Sequence, residues 1–195
     1  MSLRINFTLN RDTLYILLPG VSQAPNTGIL KSMENRLATL QKNYLVVTFP
    51  FQDKGFDGPE SPTHEAELDE VIRGLEKVNE GESFKRIVLV GKSFGALIAV
   101  KLIDKIKELF DCPIELHVLG FIFDDSACLD EGLVANVFVY QGELDRFGSP
   151  TDAERKMPFA KVFAIKGADH SYRNEKKEPV YEGDVERLFF STVTL

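Results

Sequence analysis

The sequence has no tryptophan and only two cysteines, Cys112 and Cys128. Two cysteines cannot form a disulfide framework, and their separation does not match the ligand spacing of a metal site. The longest apolar run near the amino terminus, Leu14–Leu18, is far too short to span a bilayer, and no signal-peptide pattern precedes it. We therefore expect no metal, no cofactor, no membrane span and a cytoplasmic location.

Positive charge is also scarce, since 30 acidic residues outweigh 23 basic ones and give a net charge of −7. Such a balance argues against a surface that binds nucleic acid or an anionic membrane. At 195 residues and 44% hydrophobic content, the chain is long enough for a sizeable core. We expect one domain, residues 1–195, and the composition does not indicate an oligomeric state.

Apolar runs of strand length alternate with segments of helical periodicity, which predicts a mainly parallel sheet with helices on both faces. The expected fold class is therefore α/β, a three-layer sandwich with a twisted sheet. Helices are expected from Leu30, from Pro62 with Ser61 as its cap, over Leu97–Phe110 and over Val180–Phe190. The predicted strands are Leu3–Leu9, Thr13–Leu18, Tyr44–Phe49, Arg86–Val90, Leu116–Phe123, Val134–Tyr140 and Lys161–Ile165.

One strand ends in the pattern Gly-x-Ser-x-Gly, with Ser93 between Gly91 and Gly95. A serine at such a strand-to-helix turn is the nucleophile elbow of many hydrolases. The same residues resemble the end of a phosphate-binding P-loop, but that motif requires a glycine where this sequence has Arg86. The strand-turn-helix context favours the elbow.

Two more reactive residues follow predicted strands, Asp145 after the strand ending at Tyr140 and His170 after the strand ending at Ile165. The carboxyl ends of parallel strands meet at one edge of a sheet, so these side chains can approach Ser93. A serine needs a base to accept its proton, and a histidine oriented by a carboxylate supplies one. The order serine, acid, histidine is that of elbow-type hydrolases.

The oxyanion formed during acyl transfer requires fixed N–H donors. The backbone N–H of Phe94, next after the nucleophile, is one expected donor. The second is expected in the loop after Leu18, where we select Val21 because it follows the Pro19-Gly20 turn.

These segments resemble the α/β-hydrolase superfamily, in particular its small dienelactone-hydrolase-like branch. The resemblance rests on Gly91–Gly95, Gly142–Asp145 and Gly167–His170, and together with Leu14–Gly20 it covers nearly the whole chain. It implies a reduced version of an eight-stranded sheet. Many relatives have His-Gly where this chain has Pro19-Gly20. The segment in which relatives insert a cap, Asp124–Leu133, is too short for a cap domain here.

Several assignments stay open at the level of sequence. Asp124 follows a strand and could replace Asp145 as the acid, whereas Asp169 is only a neighbour of His170. His64 and His117 have the positions of structural residues. Lys92 is either a surface charge or an attractant for acidic substrates. Three phenylalanines either pack in the core or form an acyl-binding wall: Phe49, Phe51 and Phe56.

The predicted function is hydrolysis of small carboxylic esters or thioesters through an acyl-enzyme on Ser93. Within enzymes, an uncapped site could also admit an acyl group carried by another protein. The alternative class is an interaction protein with the same fold, in which the three residues are present but little used.

Overall fold

A computed structural model of the chain describes residues 3–8, 12–21, 28–80, 83–122 and 129–193. Its centre is a seven-stranded sheet in the order β1-β3-β2-β4-β5-β6-β7. Strand β1 runs antiparallel to β3, and all the other neighbouring strands are parallel. The strands are β1 (Arg4–Asn6), β2 (Thr13–Leu18), β3 (Asn43–Val46), β4 (Arg86–Lys92), β5 (Ile114–Leu119), β6 (Asn136–Gly142) and β7 (Lys161–Ile165).

Helices cover both faces of this sheet, which confirms the predicted three-layer α/β architecture. On one face α3, α4 and α5 bury their apolar sides, and on the other face α1 and α6 do so. The helices are α1 (Gly28–Thr39), α2 (Pro50–Asp53), α3 (Glu65–Asn79), α4 (Phe94–Leu109), α5 (Pro150–Lys156) and α6 (Glu182–Thr192). No helix within the described ranges is both long enough and apolar enough to cross a membrane.

Strand β2 shows why the apolar runs are continuous rather than alternating. Successive side chains of a strand point to opposite faces of the sheet. Leu14 and Ile16 therefore pack in the core beneath α3 and α4, while Tyr15 and Leu17 pack beneath α1 and α6. Because both faces are covered, every position of this strand favours an apolar residue.

The connections also determine where a ligand can bind. Strand β2 lies between β3 and β4, so the chain leaves β2 towards β3 on one side and leaves β4 towards β5 on the other side. A crevice opens at such a switch point, outside the carboxyl ends of the two strands. Leu18 pairs with Gly91 at these ends, so the loop after β2 lies beside the turn after β4.

Several local predictions were wrong. Strand β5 runs over Ile114–Leu119 rather than the predicted Leu116–Phe123. Helix α3 begins at Glu65 rather than Pro62, because His64 adopts a left-handed φ of 62° and its ring packs edge-on against Phe94 at 5.1 Å. Strand β3 ends at Val46, short of the predicted Phe49, and α2 follows it from Pro50. Helix α5 was not predicted at all, although Ser149 and Asp152 form a capping box at its start.

The segment expected to be too short for a cap, Asp124–Leu133, lies within the connection from β5 to β6, residues 120–135. Residues 123–128 lie outside the described part of the chain. The described remainder of this connection, residues 120–122 and 129–135, forms neither a helix nor a strand.

Two glycines allow α4 to pack directly against the sheet. A Cβ atom on Gly95 would overlap the carbonyl oxygen of Leu18 on β2, and one on Gly91 would lie 2.5 Å from the Cα atom of Ala96. Both obstacles are main-chain atoms, which cannot rotate away as a flexible side chain can. The turn between β4 and α4 therefore depends on the absence of side chains at these positions.

We expect Gly95→Ala to destabilise the protein by about 1–3 kcal/mol, because the added methyl group must displace the backbone of β2. Urea denaturation would measure this loss. Gly183→Ala is the matched control, since among the described residues no atom beyond the local backbone of α6 lies within 4 Å of the Cβ position at Gly183. The control is expected to be neutral or to stabilise by about 0.5–1 kcal/mol. Equal stability of the two variants would contradict the packing argument.

Candidate active site

Ser93 lies at the sharp turn between β4 and α4. Its φ of 53° and ψ of −116° are unusual for a residue with a side chain. Such strain persists only where the surrounding structure holds the backbone, and it is frequent at functional sites. A Cβ atom on Gly20 would lie 3.4 Å from the Cβ of Ser93, so the loop after β2 closely approaches the serine.

The structure brings Ser93, His170 and Asp145 into one hydrogen-bonded chain. The Nε2 atom of His170 lies 2.8 Å from Oγ of Ser93, and its Nδ1 atom lies 2.7 Å from Oδ2 of Asp145. The Asp145 side chain is fully buried, whereas the His170 side chain retains 15% of its exposure. The imidazole thus bridges a buried carboxylate and a hydroxyl that borders an open pocket.

The Asp145 carboxylate is held by groups that the sequence did not reveal. Its Oδ1 atom accepts a hydrogen bond from the Phe147 N–H at 2.9 Å, and its Oδ2 atom accepts one from Nε2 of Gln141 at 2.8 Å. Gln141 is itself buried, donates to the Gly148 carbonyl at 2.7 Å and accepts from the Phe121 N–H at 2.9 Å. The available signal was a glutamine directly after the apolar run Val137–Tyr140, four residues before the aspartate.

The surroundings of His170 favour its neutral form. Burial is the largest effect and lowers the pKa of the imidazole, the hydrogen bond to Asp145 raises it, and the cation of Lys92 lowers it again. The net pKa lies below the ordinary value of 6.5. A neutral imidazole at neutral pH is able to accept a proton.

Asp169 is bonded to groups other than the histidine ring. Burial raises its pKa, but the N–H groups of Arg173 and Ser171, the Arg173 guanidinium and the Lys177 ammonium outweigh this effect and lower the pKa to about 2. This carboxylate forms ion pairs with Arg173 at 3.0 Å and Lys177 at 3.2 Å. The other alternative acid, Asp124, lies outside the described residues.

The remaining two histidines pack against aromatic rings. His117, on β5, is fully buried, and its Nδ1 atom lies 3.1 Å from the hydroxyl of Tyr140. Burial lowers the pKa of His117. His64 precedes α3 and packs edge-on against the ring of Phe94. Neither contact involves Ser93 or Asp145.

The loop after β2 is anchored by Gln52, another residue that the sequence did not indicate. Its Nε2 atom donates to the Gly20 carbonyl at 2.9 Å, and its Oε1 atom accepts from the Phe49 N–H at 3.0 Å. Because a trans peptide is planar, fixing the Gly20 carbonyl also fixes the Val21 N–H, which points the opposite way. Within the part of the chain that the structure describes, this N–H donates no hydrogen bond.

A cavity of about 620 Å³ opens over Ser93 and His170. Its lining combines apolar side chains, among them Val21, Leu144 and Phe147, with basic ones. The alternative of an acyl-binding wall is not supported, because none of the three phenylalanines lines this cavity. Phe49 and Phe51 are buried and pack against Phe94, and Phe56 is exposed. Across the described residues, no group of three or more histidine, cysteine, aspartate or glutamate side chains is arranged to bind a metal.

The family model of an alpha/beta hydrolase domain matches residues 12–187 of this sequence. The chain belongs to the α/β-hydrolase family. The match includes the elbow and both loops that carry Asp145 and His170. None of the curated proteins is similar enough in sequence to this α/β-hydrolase to count as a match.

Solved structures resemble this α/β-hydrolase over nearly its whole length. An alpha-beta serine hydrolase homologue from Coxiella burnetii is 17% identical, with a TM-score of 0.71 over 98% of this chain and 90% of its own. A serine hydrolase without a lid from Xanthomonas campestris is 14% identical, with a TM-score of 0.64 over 98% and 89%. An esterase from Pyrococcus furiosus is 17% identical, with a TM-score of 0.63 over 92% and 81%. At these identities, the likeness shows the fold.

We expect Gln141→Leu to destabilise this α/β-hydrolase by about 1–3 kcal/mol, because buried polar groups lose a hydrogen-bond partner. The Phe121 N–H loses the Gln141 oxygen as acceptor, and Asp145 and Gly148 each lose the Gln141 donor. Urea denaturation would measure the loss. Leucine has a similar volume, so a variant as stable as the wild type would show that these hydrogen bonds contribute little.

Proposed function

We propose that this α/β-hydrolase is a serine hydrolase that cleaves carboxylic esters or thioesters, with Ser93 as nucleophile, His170 as base and Asp145 as the orienting acid. The observation that carries the proposal is the position of the His170 imidazole, 2.8 Å from Oγ of Ser93 and 2.7 Å from Oδ2 of Asp145. Proton transfer from a nucleophile requires contact of this kind.

The contacts suggest the following steps. Asp145 accepts the Nδ1–H of His170, so Nε2 is free to take the proton from Ser93 as Oγ attacks the substrate carbonyl. The tetrahedral intermediate collapses when His170 returns that proton to the departing alcohol or thiol, and an acyl-enzyme remains on Ser93. A water molecule, activated by the same imidazole, then releases the carboxylic acid.

Two backbone N–H groups are proposed to stabilise the negative oxygen of each tetrahedral intermediate. Phe94 is the first residue of α4, so its N–H has no acceptor within the helix, and the positive end of the helix dipole adds to its effect. The Val21 N–H is the second proposed donor, held in place by the bond from Gln52 to the Gly20 carbonyl. Each such donor typically contributes about 3–4 kcal/mol to transition-state stabilisation.

The substrate class rests on the shape of the site. The cavity over Ser93 is lined by side chains from the loops after β2, β4, β5, β6 and β7, and the short β5–β6 segment limits what could cover it. An open site of this kind favours small ester or acyl substrates over long buried chains. The Xanthomonas campestris relative without a lid and the Pyrococcus furiosus esterase support the same class.

A fluorophosphonate probe tests the nucleophile, because it reacts covalently with an activated serine. We expect the wild type to be labelled, Ser93→Ala to remain unlabelled, and His170→Ala to react slower by orders of magnitude. Ser191→Ala, which removes an exposed hydroxyl on α6, is the matched control and should be labelled like the wild type. Labelling would be followed by intact-protein mass spectrometry.

A folded wild-type protein that resists the probe and hydrolyses none of a panel of small esters and thioesters would contradict the hydrolase proposal. The alternative of an interaction protein with a little-used triad would then be favoured. Labelling of Ser93→Ala at the wild-type rate would assign the nucleophile to another residue.

The acid assignment is tested by replacing each candidate carboxylate with its amide. We expect Asp145→Asn to lower kcat by roughly 10⁴-fold, since an asparagine cannot both hold the Nδ1–H tautomer and stabilise the imidazolium. Asp124→Asn is the comparison variant and is expected to retain most of the activity towards a chromogenic acetate ester. A large loss in Asp124→Asn with near-normal activity in Asp145→Asn would transfer the role to Asp124.

A further inference from the structure

Lys92 is the residue immediately before the proposed nucleophile, and it is buried rather than on the surface. It retains only 2% of its exposure at the end of β4. The sequence-based interpretation of Lys92 as a surface charge is therefore wrong. A lysine is rarely buried so completely, because an ammonium group loses its hydration when it leaves water.

The ammonium group of Lys92 is directed at the loop that carries the proposed base. Its Nζ atom donates a hydrogen bond to the main-chain carbonyl of His170 at 2.8 Å. The same atom lies 5.3 Å from the centre of the Tyr172 ring, and the Tyr172 hydroxyl in turn donates to the Tyr140 carbonyl at 2.8 Å. Lys92 thus links the elbow strand to the loop after β7.

Gly120, directly after β5, lies beside the hydrogen bond between Lys92 and His170. A Cβ atom there would lie 2.9 Å from Nζ of Lys92, 3.1 Å from the His170 carbonyl oxygen and 3.3 Å from Nδ1 of His170. Gly120 also has a φ of 62°, which glycine adopts without strain. The lysine amine and the histidine ring therefore occupy one small space that a side chain at position 120 would fill.

The charges around Lys92 come from three further elements. Burial is the largest effect and lowers the pKa of Lys92 to about 8, while the carboxylates of Asp145, Asp169 and Glu182 oppose this. The first two carboxylates lie in the loops after β6 and β7, and the third lies in α6. At neutral pH the lysine is therefore mostly a cation, next to the imidazole of His170.

We propose that Lys92 is a positioning residue for the hydrolytic reaction, whose ammonium group fixes the main chain of His170 so that the imidazole reaches Ser93 and Asp145 together. This inference rests on the proposed hydrolase function. The contacts of the lysine Nζ atom are with the His170 carbonyl and the Tyr172 ring, and the residue also borders the cavity over Ser93. It acts through His170, by holding the backbone of that residue and by placing a positive charge beside its ring.

The first test compares Lys92→Met with Lys161→Met in steady-state hydrolysis of a small chromogenic ester. Methionine keeps the length of the side chain but removes both the charge and the donor. We expect kcat to fall by about ten- to a hundredfold with little change in KM, as for a misplaced catalytic group. Lys161 is an exposed cation at the far end of β7, so its replacement should leave both constants unchanged.

A second measurement reads the histidine directly and requires no turnover. In protein labelled with ¹⁵N-histidine, the His170 ring is titrated by NMR after assignment with His170→Ala. Since the Lys92 cation lowers the pKa of His170, Lys92→Met should raise it, and the acid limb of kcat/KM should move to higher pH. The groups that stay are Asp145, Asp169, Arg146, Arg173 and Lys177, so the shift reports the lost lysine.

The outcomes separate this inference from the proposed function. If the wild type neither hydrolyses esters nor reacts with a fluorophosphonate, the proposed function fails, and the NMR titration still decides whether Lys92 acts on His170. If the wild type is active but Lys92→Met changes neither kcat nor the pKa of His170, the inference is overturned. A change in KM alone would assign Lys92 to substrate binding and overturn it equally.

Lys92→Arg provides the rescue and covers a failure of the methionine variant to fold. Arginine keeps a cation and several N–H donors, so we expect it to retain a His170 pKa close to that of the wild type. Lys92→Arg should also recover most of the kcat lost in Lys92→Met. If Lys92→Met does not fold, the kcat of Lys92→Arg should lie within about tenfold of the wild-type value. A folded Lys92→Arg variant as slow as His170→Ala would show that donation to the His170 carbonyl is not the role of Lys92.

Discussion

The site depends on the contact between the start of α4 and the end of β2. A Cβ atom on Gly95 would overlap the main chain of Leu18, so these two backbones approach each other more closely than any residue with a side chain would permit. The helix then directs its N-terminal dipole at the position where Ser93 turns out of the sheet. The φ of 53° at Ser93 is a strain of about 1–3 kcal/mol, which the packing of β4 and α4 in the core must offset.

The other two side chains follow from the parallel sheet. Strands β6 and β7 end at the same edge as β4, so the loops after them converge over the serine. Asp145 is buried as a charged group, which is tolerated only where hydrogen bonds replace water. Gln141, the Phe147 N–H and His170 supply those bonds, so the cost of burying the carboxylate is met by the same contacts that orient the imidazole.

Those parts of the structure that depend on local chemistry could be predicted from the sequence. The strands β2, β4 and β7 were predicted at or near their observed bounds, because buried parallel strands require continuous apolar runs. The approach of Ser93, His170 and Asp145 followed from their positions after strands. The roles of Gln141 and Gln52 could not be predicted, since each depends on partners that only the folded chain brings near. The start of α3 was predicted too early for the same reason. The ring of His64 packs against Phe94, a contact that only the folded chain makes.

The burial of the Lys92 cation at the site lowers the stability of the folded protein. A pKa lowered from 10.5 to about 8 corresponds to about 3 kcal/mol of stability lost at neutral pH, because the unfolded chain hydrates the ammonium group better. This loss is complete below pH 8 and is relieved as the pH rises from about 8 towards 10.5. An apolar side chain of similar size would avoid it, as exchanges of buried charges often do. The buried cation therefore does not serve to stabilise the fold. Its hydrogen bond to the His170 carbonyl indicates that it contributes to the position of the imidazole instead.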